Sequence, residues 1–247
     1  MDSFICEPFG TVTISRRLGA RSIRIKIEAD SLRISADCYT TDSEIFRLLE
    51  KNKIKIAEKQ NRLKLRKKPL NERFRLSKRY FSLSIEVGKN ITKRPFILKA
   101  DNNTVPYHFT LKCSRDTDFS SADTQERISA VINKLTRNIA KEPLETRTFQ
   151  LAERFGFSVN SVKTKIVKSK WGSCSSKGNI NLSACLILLP DHLRDYIITH
   201  ELCHLKEMNH GKKFHELVNR FTEGREKDYG RELKEFSTNI LDYGTET

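Results

Sequence analysis

His200-Glu201-Leu202-Cys203-His204 opens the stretch HELCHLKEMNHG, residues 200–211, which decides the fold of the second half of the chain. Apolar residues recur at helical spacing around it and predict a helix over residues 192–208. Residues four apart lie on one face of a helix, so both imidazoles can bind one metal ion with Glu201 beside them. The stretch therefore predicts a buried helix that carries a metal site.

The third ligand has to come from beyond the helix. A catalytic zinc site needs three protein ligands and one open position, and His210 is the leading candidate. A continuing helix would turn about 600° between His204 and His210 and would carry His210 off the metal face. We therefore expect the helix to end near Met208, with Asn209 in a left-handed cap and Gly211 in the following turn.

The three histidines and the glutamate define the predicted chemistry. Zinc lowers the pKa of its water to about 7, and an adjacent carboxylate can accept the proton during attack on a carbonyl. We expect one zinc ion per chain, with His200, His204 and His210 as ligands and Glu201 as the general base. Three ligands with an adjacent base are typical of an open, catalytic site and disfavour a purely structural zinc.

Several other residues are rival ligands or catalysts. A later helix offers four alternatives to His210: His215, Glu216, Glu226 and Glu232. We favour His215 as a residue that packs near the ligands. Cys174 has no basic partner set by the sequence, which disfavours it as a nucleophile.

Composition divides the chain electrostatically. Residues 1–115 hold 26 Lys+Arg against 12 Asp+Glu, whereas residues 116–247 hold 20 against 19. A basic half attracts polyanions such as nucleic acid, although a role in solubility explains the charge equally well. Six cysteines without CxxC spacing indicate free thiols and a cytoplasmic protein. The chain lacks any run of 18 uncharged apolar residues, so we expect no membrane span.

Hydrophobic periodicity divides the chain into strands and helices. Residues 10–36 alternate and predict a β-meander, while residues 41–68 have helical spacing and end in a basic run. Residues 70–113 return to strand-like segments. Residues 123–141 predict an amphipathic helix that stops before Pro143.

Three segments carry a resemblance to a known family: KWGSCSSKGNINL from Lys170, LLP from Leu188, and HELCHLKEMNHG from His200. They resemble the YgjP-like metallopeptidases, metal-dependent hydrolases of the zincin type that are related at the motif level to SprT-like and WLM peptidases. The resemblance implies that the strand around residues 179–182 pairs with an extended substrate. Lys170 and His215 depart from it, since the family usually has an arginine and a bulky apolar residue there.

Together these observations predict an α+β fold in two domains. A basic β-rich domain with one helix, residues 1–118, precedes a zincin-like metallohydrolase domain with the HExxH helix, residues 119–247. The predicted function is a zinc-dependent metallopeptidase with an HExxH-x5-H site and a polypeptide substrate. Two alternatives are a metal-dependent nucleotide phosphohydrolase and a nucleic-acid-associated module with recruited protease activity.

Overall fold

Alternating apolar residues near the amino terminus form a four-stranded sheet in this computed structural model, which describes residues 2–20, 22–66, 70–88, 96–101 and 103–246. The strands are β1 (Asp2–Cys6), β2 (Gly10–Arg16), β3 (Arg24–Ile27) and β4 (Ser31–Ala36).

The order of these strands is β1-β2-β4-β3, with β2 and β4 parallel, so the predicted meander is wrong. Val12 and Ile14 lie in register with Leu32 and Ile34, and all four are buried. Pairing the two strands with buried apolar residues at the centre leaves β3, which carries exposed cationic residues, at one edge of the sheet.

Two consecutive helices follow where the sequence predicts one. Helix α1 (Asp42–Lys51) begins at Thr41, whose hydroxyl and backbone form a capping box with Glu44. The chain breaks at Asn52, and α2 (Lys53–Arg66) continues from there.

The strand-like segments after residue 70 form a second, five-stranded sheet in the order β12-β5-β6-β8-β7. Its strands are β5 (Phe74–Ser77), β6 (Phe81–Gly88), β7 (Phe96–Ala100), β8 (Tyr107–Ser114) and β12 (Thr245–Glu246).

A long helix, α3 (Ala122–Phe155), runs through Pro143. The expected stop before Pro143 is therefore wrong. Buried residues continue at spacings of three and four on both sides of the proline, and this packing outweighs the lost backbone hydrogen bond.

A three-stranded sheet and three α-helices follow α3 in the described residues. The sheet contains β9 (Ser161–Lys165), β10 (Gly172–Cys174) and β11 (Asn179–Ser183) in the order β10-β11-β9. The helices are α4 (Asp191–Cys203), α5 (Lys212–Phe221) and α6 (Glu226–Glu232). A mixed α+β fold is thus confirmed.

The chain divides into two compact units, Met1–Lys68 and Pro69–Thr247, each with its own hydrophobic core. This division differs from the expected boundary at residue 118, which falls inside the second unit. Phe74, Phe81 and Leu111 of the five-stranded sheet share one core with Ile128 of α3 and Ile198 of α4. Strands that bury their apolar face against later helices cannot form a separate domain without them.

Candidate metal centre

The end of α4 sets the geometry of the histidine motif. His200 and Glu201 lie in its last turn, and His204 is its C-terminal cap. The helix therefore ends before the expected position near Met208. Backbone hydrogen bonds from Lys206 and Glu207 to the Cys203 carbonyl turn the chain back.

This early turn brings His210 close to His200 and His204 without the left-handed backbone conformation that we expected at Asn209. The left-handed cap predicted at Asn209 is absent, since among the described non-glycine residues only Glu223 has a positive φ. A turn at residues 204–206, closed by backbone hydrogen bonds to the Leu202 and Cys203 carbonyls, reverses the chain instead.

Three imidazoles converge at this turn. One ligand nitrogen from each of His200, His204 and His210 lies within 4.8 Å of the others, the single such His, Cys, Asp or Glu group among the residues that the structure describes. His200 Nε2 lies 3.1 Å from His210 Nε2. The Glu207 carbonyl accepts a hydrogen bond of 3.1 Å from His204 Nδ1, which leaves Nε2 of His204 with a free lone pair.

A buried aromatic ring supports the three histidines. Phe214 is fully buried, stacks on His204 at 4.5 Å between ring centroids, and meets His200 and His210 edge-on at 4.9 and 4.7 Å. The histidine motif by itself assigns no role to this phenylalanine. The sequence does contain a signal for its role near the histidines. Phe214 lies four residues after His210, at the start of an amphipathic helix.

Burial favours the neutral form of two of these imidazoles. It lowers the pKa of His200 to about 4, with smaller contributions from the neighbouring imidazoles, and it also lowers the pKa of His204. Neutral imidazole is the form that binds a metal ion.

Glu201 is a buried carboxylate beside the histidines. Its side chain is 5 % exposed, and Oε2 has no hydrogen-bond partner among the described residues. Burial raises the pKa of Glu201 to about 7, against the opposing effect of the Lys170 charge. The second unpartnered buried oxygen in the described residues belongs to the neutral amide of Asn239.

Gly172 on β10 makes the room for this carboxylate. A Cβ atom at Gly172 would lie 2.6 Å from Glu201 Oε1 and 2.8 Å from its Cδ. Any larger residue would displace Glu201. The close contact between Gly172 and Glu201 explains why the WGSC segment has a glycine at this position. The periodicity of the sequence does not indicate this contact.

The histidines and Glu201 line a cleft of about 490 Å³. Its walls also include β10 and Tyr196, which lies one turn before His200 on α4. Cys174 also faces the cleft, and burial raises the pKa of its thiol to about 11. A protonated thiol is a poor nucleophile, as expected from the sequence.

A family model described as the YgjP-like metallopeptidase domain matches residues 21–236. The chain belongs to the YgjP-like family. None of the curated proteins compared matches it. A solved structure, the crystal structure of the metallopeptidase zymogen of Pyrococcus abyssi abylysin, is 24% identical over 38% of this chain and 94% of that chain, with a TM-score of 0.34.

Membership of the YgjP-like metallopeptidases makes the chain a metal-dependent hydrolase. The domain implies a catalytic metal and a polypeptide substrate. Every helix among the described residues is too short or too polar to cross a membrane.

The strand that the resemblance assigned to substrate pairing is not free to pair in this YgjP-like chain. β11 is flanked by β10 on one side and β9 on the other, so both of its edges are used. Substrate pairing along residues 179–182 is therefore wrong for this chain. The sequence indicated one strand beside the site, whereas the structure adds the short strand β10 next to it.

β10 is the strand with an open edge beside the cleft. The Trp171 carbonyl accepts a backbone hydrogen bond from Ser183, and the Ser175 N–H donates one to the Asn179 carbonyl. In an antiparallel ladder, hydrogen-bonded pairs alternate with pairs whose backbone groups point outward. The backbone N–H and C=O groups of Gly172 and Cys174 therefore face the open edge.

The rival ligands are occupied elsewhere. His215 Nδ1 lies 2.6 Å from Glu226 Oε1, and Asn219 donates a hydrogen bond of 3.1 Å to Glu226 Oε2. Glu232 contacts His192, and Glu216 lies 3.7 Å from Lys212. None of the rivals belongs to the histidine group described above.

Proposed function

We propose that the chain is a zinc-dependent peptidase in which His200, His204 and His210 hold one zinc ion and Glu201 is the general base. The observation that carries the proposal is the convergence of three imidazoles beside a buried carboxylate oxygen that has no partner among the described residues. A buried, unpartnered carboxylate costs several kcal/mol, which a nearby cation and substrate water would offset.

The donor set supports zinc over magnesium. Three imidazoles suit a borderline-soft ion such as zinc, whereas magnesium takes oxygen ligands in octahedral geometry. When bound, zinc would act as a Lewis acid toward the scissile carbonyl and toward water.

Glu201 moves the protons in the proposed reaction. Its carboxylate accepts a proton from the attacking water and passes this proton to the amine that leaves. Because burial raises the pKa of Glu201 to about 7, its carboxylate is a stronger base than that of an exposed glutamate. Gly172 keeps the carboxylate in place, since its missing Cβ leaves the space that Glu201 occupies.

The open edge of β10 supports a polypeptide as the substrate. An extended segment could pair with the outward backbone groups of Gly172 and Cys174, which line the cleft that contains Glu201. Such pairing holds the scissile bond through main-chain hydrogen bonds that do not depend on side-chain identity.

The test compares the zinc-loaded parent with Glu201→Gln. Zinc content is measured by elemental analysis, and cleavage is measured on an unfolded protein and on nucleoside triphosphates. We expect about one zinc ion in both proteins and a 10²–10⁴-fold slower cleavage of the unfolded protein by Glu201→Gln. Cleavage of triphosphates alone would favour the phosphohydrolase, and absence of zinc from the parent would overturn the proposal.

A further inference from the structure

A second, smaller pocket adjoins the metal cleft. It has a volume of about 150 Å³ and shares the segment from Lys170 to Ser173 with the larger cleft. Lys165 of β9 and Asn181 of β11 lie on its other side. A space of this size accommodates a group about as large as benzene, which corresponds to one side chain rather than a whole ligand.

The charge around this pocket has one sign. Both Lys165 and Lys170 line it, no acidic residue does, and both lysines are exposed. Neither lysine forms an ion pair with a described residue, whereas Arg147 and Arg194 of the same unit pair with Asp195. The Lys170 charge also acts on Glu201, yet two exposed cations at a pocket without an acidic lining residue favour an anionic occupant.

The sheet geometry connects the pocket to an extended substrate. On β11, Ile180 and Leu182 face the hydrophobic core, so Asn181 lies on the opposite face. Lys165 is in register with Ser183 across the same sheet, and Gly172 and Ser173 of β10 line both the pocket and the cleft. Side chains of a peptide paired along the edge of β10 would alternate between the two faces, and those on the outer face would approach the pocket.

We propose that Lys165 and Lys170 form a subsite for a carboxylate of the substrate, the side chain of an aspartate or glutamate close to the scissile bond. Ser173 and Asn181 add a hydroxyl and an amide that can donate hydrogen bonds to it. The inference rests on the proposed peptidase function and specifies the substrate class of the same site. A C-terminal carboxylate shares this chemistry, and the experiment separates the two sources.

The test uses the zinc-loaded full chain and one peptide sequence in which Glu, Gln or Lys is placed at each position around the cleavage site. Each peptide is prepared with a free and with an amidated C-terminus. We expect kcat/KM to be about 10-fold higher for Glu than for Gln at one position, since charge-assisted contacts contribute on this scale. In the double variant Lys165→Gln and Lys170→Gln, the ratio of kcat/KM for the Glu peptide to that for the Gln peptide should fall toward 1. The single variant Lys170→Glu should cleave the Lys peptide with a higher kcat/KM than the Glu peptide.

Lys163→Gln is the matched control, because Lys163 lies two residues earlier on β9, on the same face, and does not line the pocket. The control should keep the parent's preference. The Glu201→Gln variant should bind the Glu peptide more tightly than the Gln peptide by the same factor. Its Kd values report this preference without turnover.

Three results would overturn the inference in different ways. Equal kcat/KM for Glu and Gln peptides refutes the subsite and leaves the peptidase proposal standing. A preference that disappears on amidation assigns the anion to the substrate's C-terminus and refutes the side-chain subsite. Failure to cleave any peptide with zinc bound refutes the proposed function and this inference with it.

Discussion

The two units of the chain differ in what they bury. In Met1–Lys68, the described core is apolar, and its one buried polar side chain, Gln60, donates a hydrogen bond of 2.9 Å to the Phe9 carbonyl. Among its described residues, Pro69–Thr247 buries four arginine, glutamate or histidine side chains, all on the helices α4 to α6 or at their ends: Arg194, Glu201, His204 and Glu226.

This difference locates the residues whose burial costs the folded chain free energy. Burying a charged group is expensive unless it is paired and hydrogen-bonded. Arg194 donates to Tyr80, and Glu226 accepts from His215 and Asn219. Glu201 alone among these groups keeps a buried oxygen without a partner in the described residues. The cost of an unpartnered buried charge is therefore borne in the second unit, at Glu201.

The largest effect is expected from removal of an imidazole. His200→Ala should lose zinc and slow peptide cleavage on the order of 10³-fold or more, because two ligands do not hold the ion. Elemental analysis and initial rates measure both. His215→Gln should retain zinc, and loss of zinc there would place His215 among the ligands.

A smaller effect is expected where Gly172 meets Glu201. In Gly172→Ala, the new Cβ would lie 2.6 Å from Glu201 Oε1 and displace the carboxylate, with a fall in kcat of about 10²-fold. Zinc content should stay the same. Gly88→Ala is the control, since a methyl group added there would have no atom within 4 Å. Equal activity of both variants would contradict the role given to Gly172.

A conservative change in the other core should leave the site alone. Ile34→Val in the first unit removes one buried methylene and should lower the free energy of unfolding by about 0.5–1.5 kcal/mol. Denaturant titration measures this change. Zinc content and kcat should match the parent, and a lower kcat would show that the two units are energetically coupled.

The smallest effect concerns the charge of the first unit, which holds 16 Lys+Arg against 9 Asp+Glu. If this surface binds nucleic acid, the affinity of the full chain for it should fall steeply with salt. Lys55 and Lys59 are exposed on α2, and replacing both with Gln should reduce the slope of log K against log salt by about 0.9 for each lysine. An affinity that does not change with salt would refute nucleic-acid binding and leave solubility as the role of the charge.

Local patterns predicted much of the fold because they depend on neighbours in the chain. The alternation of Val12 and Ile14, and the apolar residues around His200, follow directly from strand and helix periods. The continuous helix through Pro143 could not be predicted, because tertiary packing there overrides a local signal. The order β1-β2-β4-β3 depends on which strands bury together, which no local pattern records.

The sequence by itself determined the chemistry of the site: the spacing of His200 and His204, the carboxylate between them, and the segments that mark the family. Only the tertiary structure decided how early α4 ends, how His210 returns to the two histidines, and why Gly172 faces Glu201. Ligand spacing within one helical turn is a property of the backbone period. The return of the chain and the close approach of β10 depend on contacts between residues distant in sequence, which form only when the core packs.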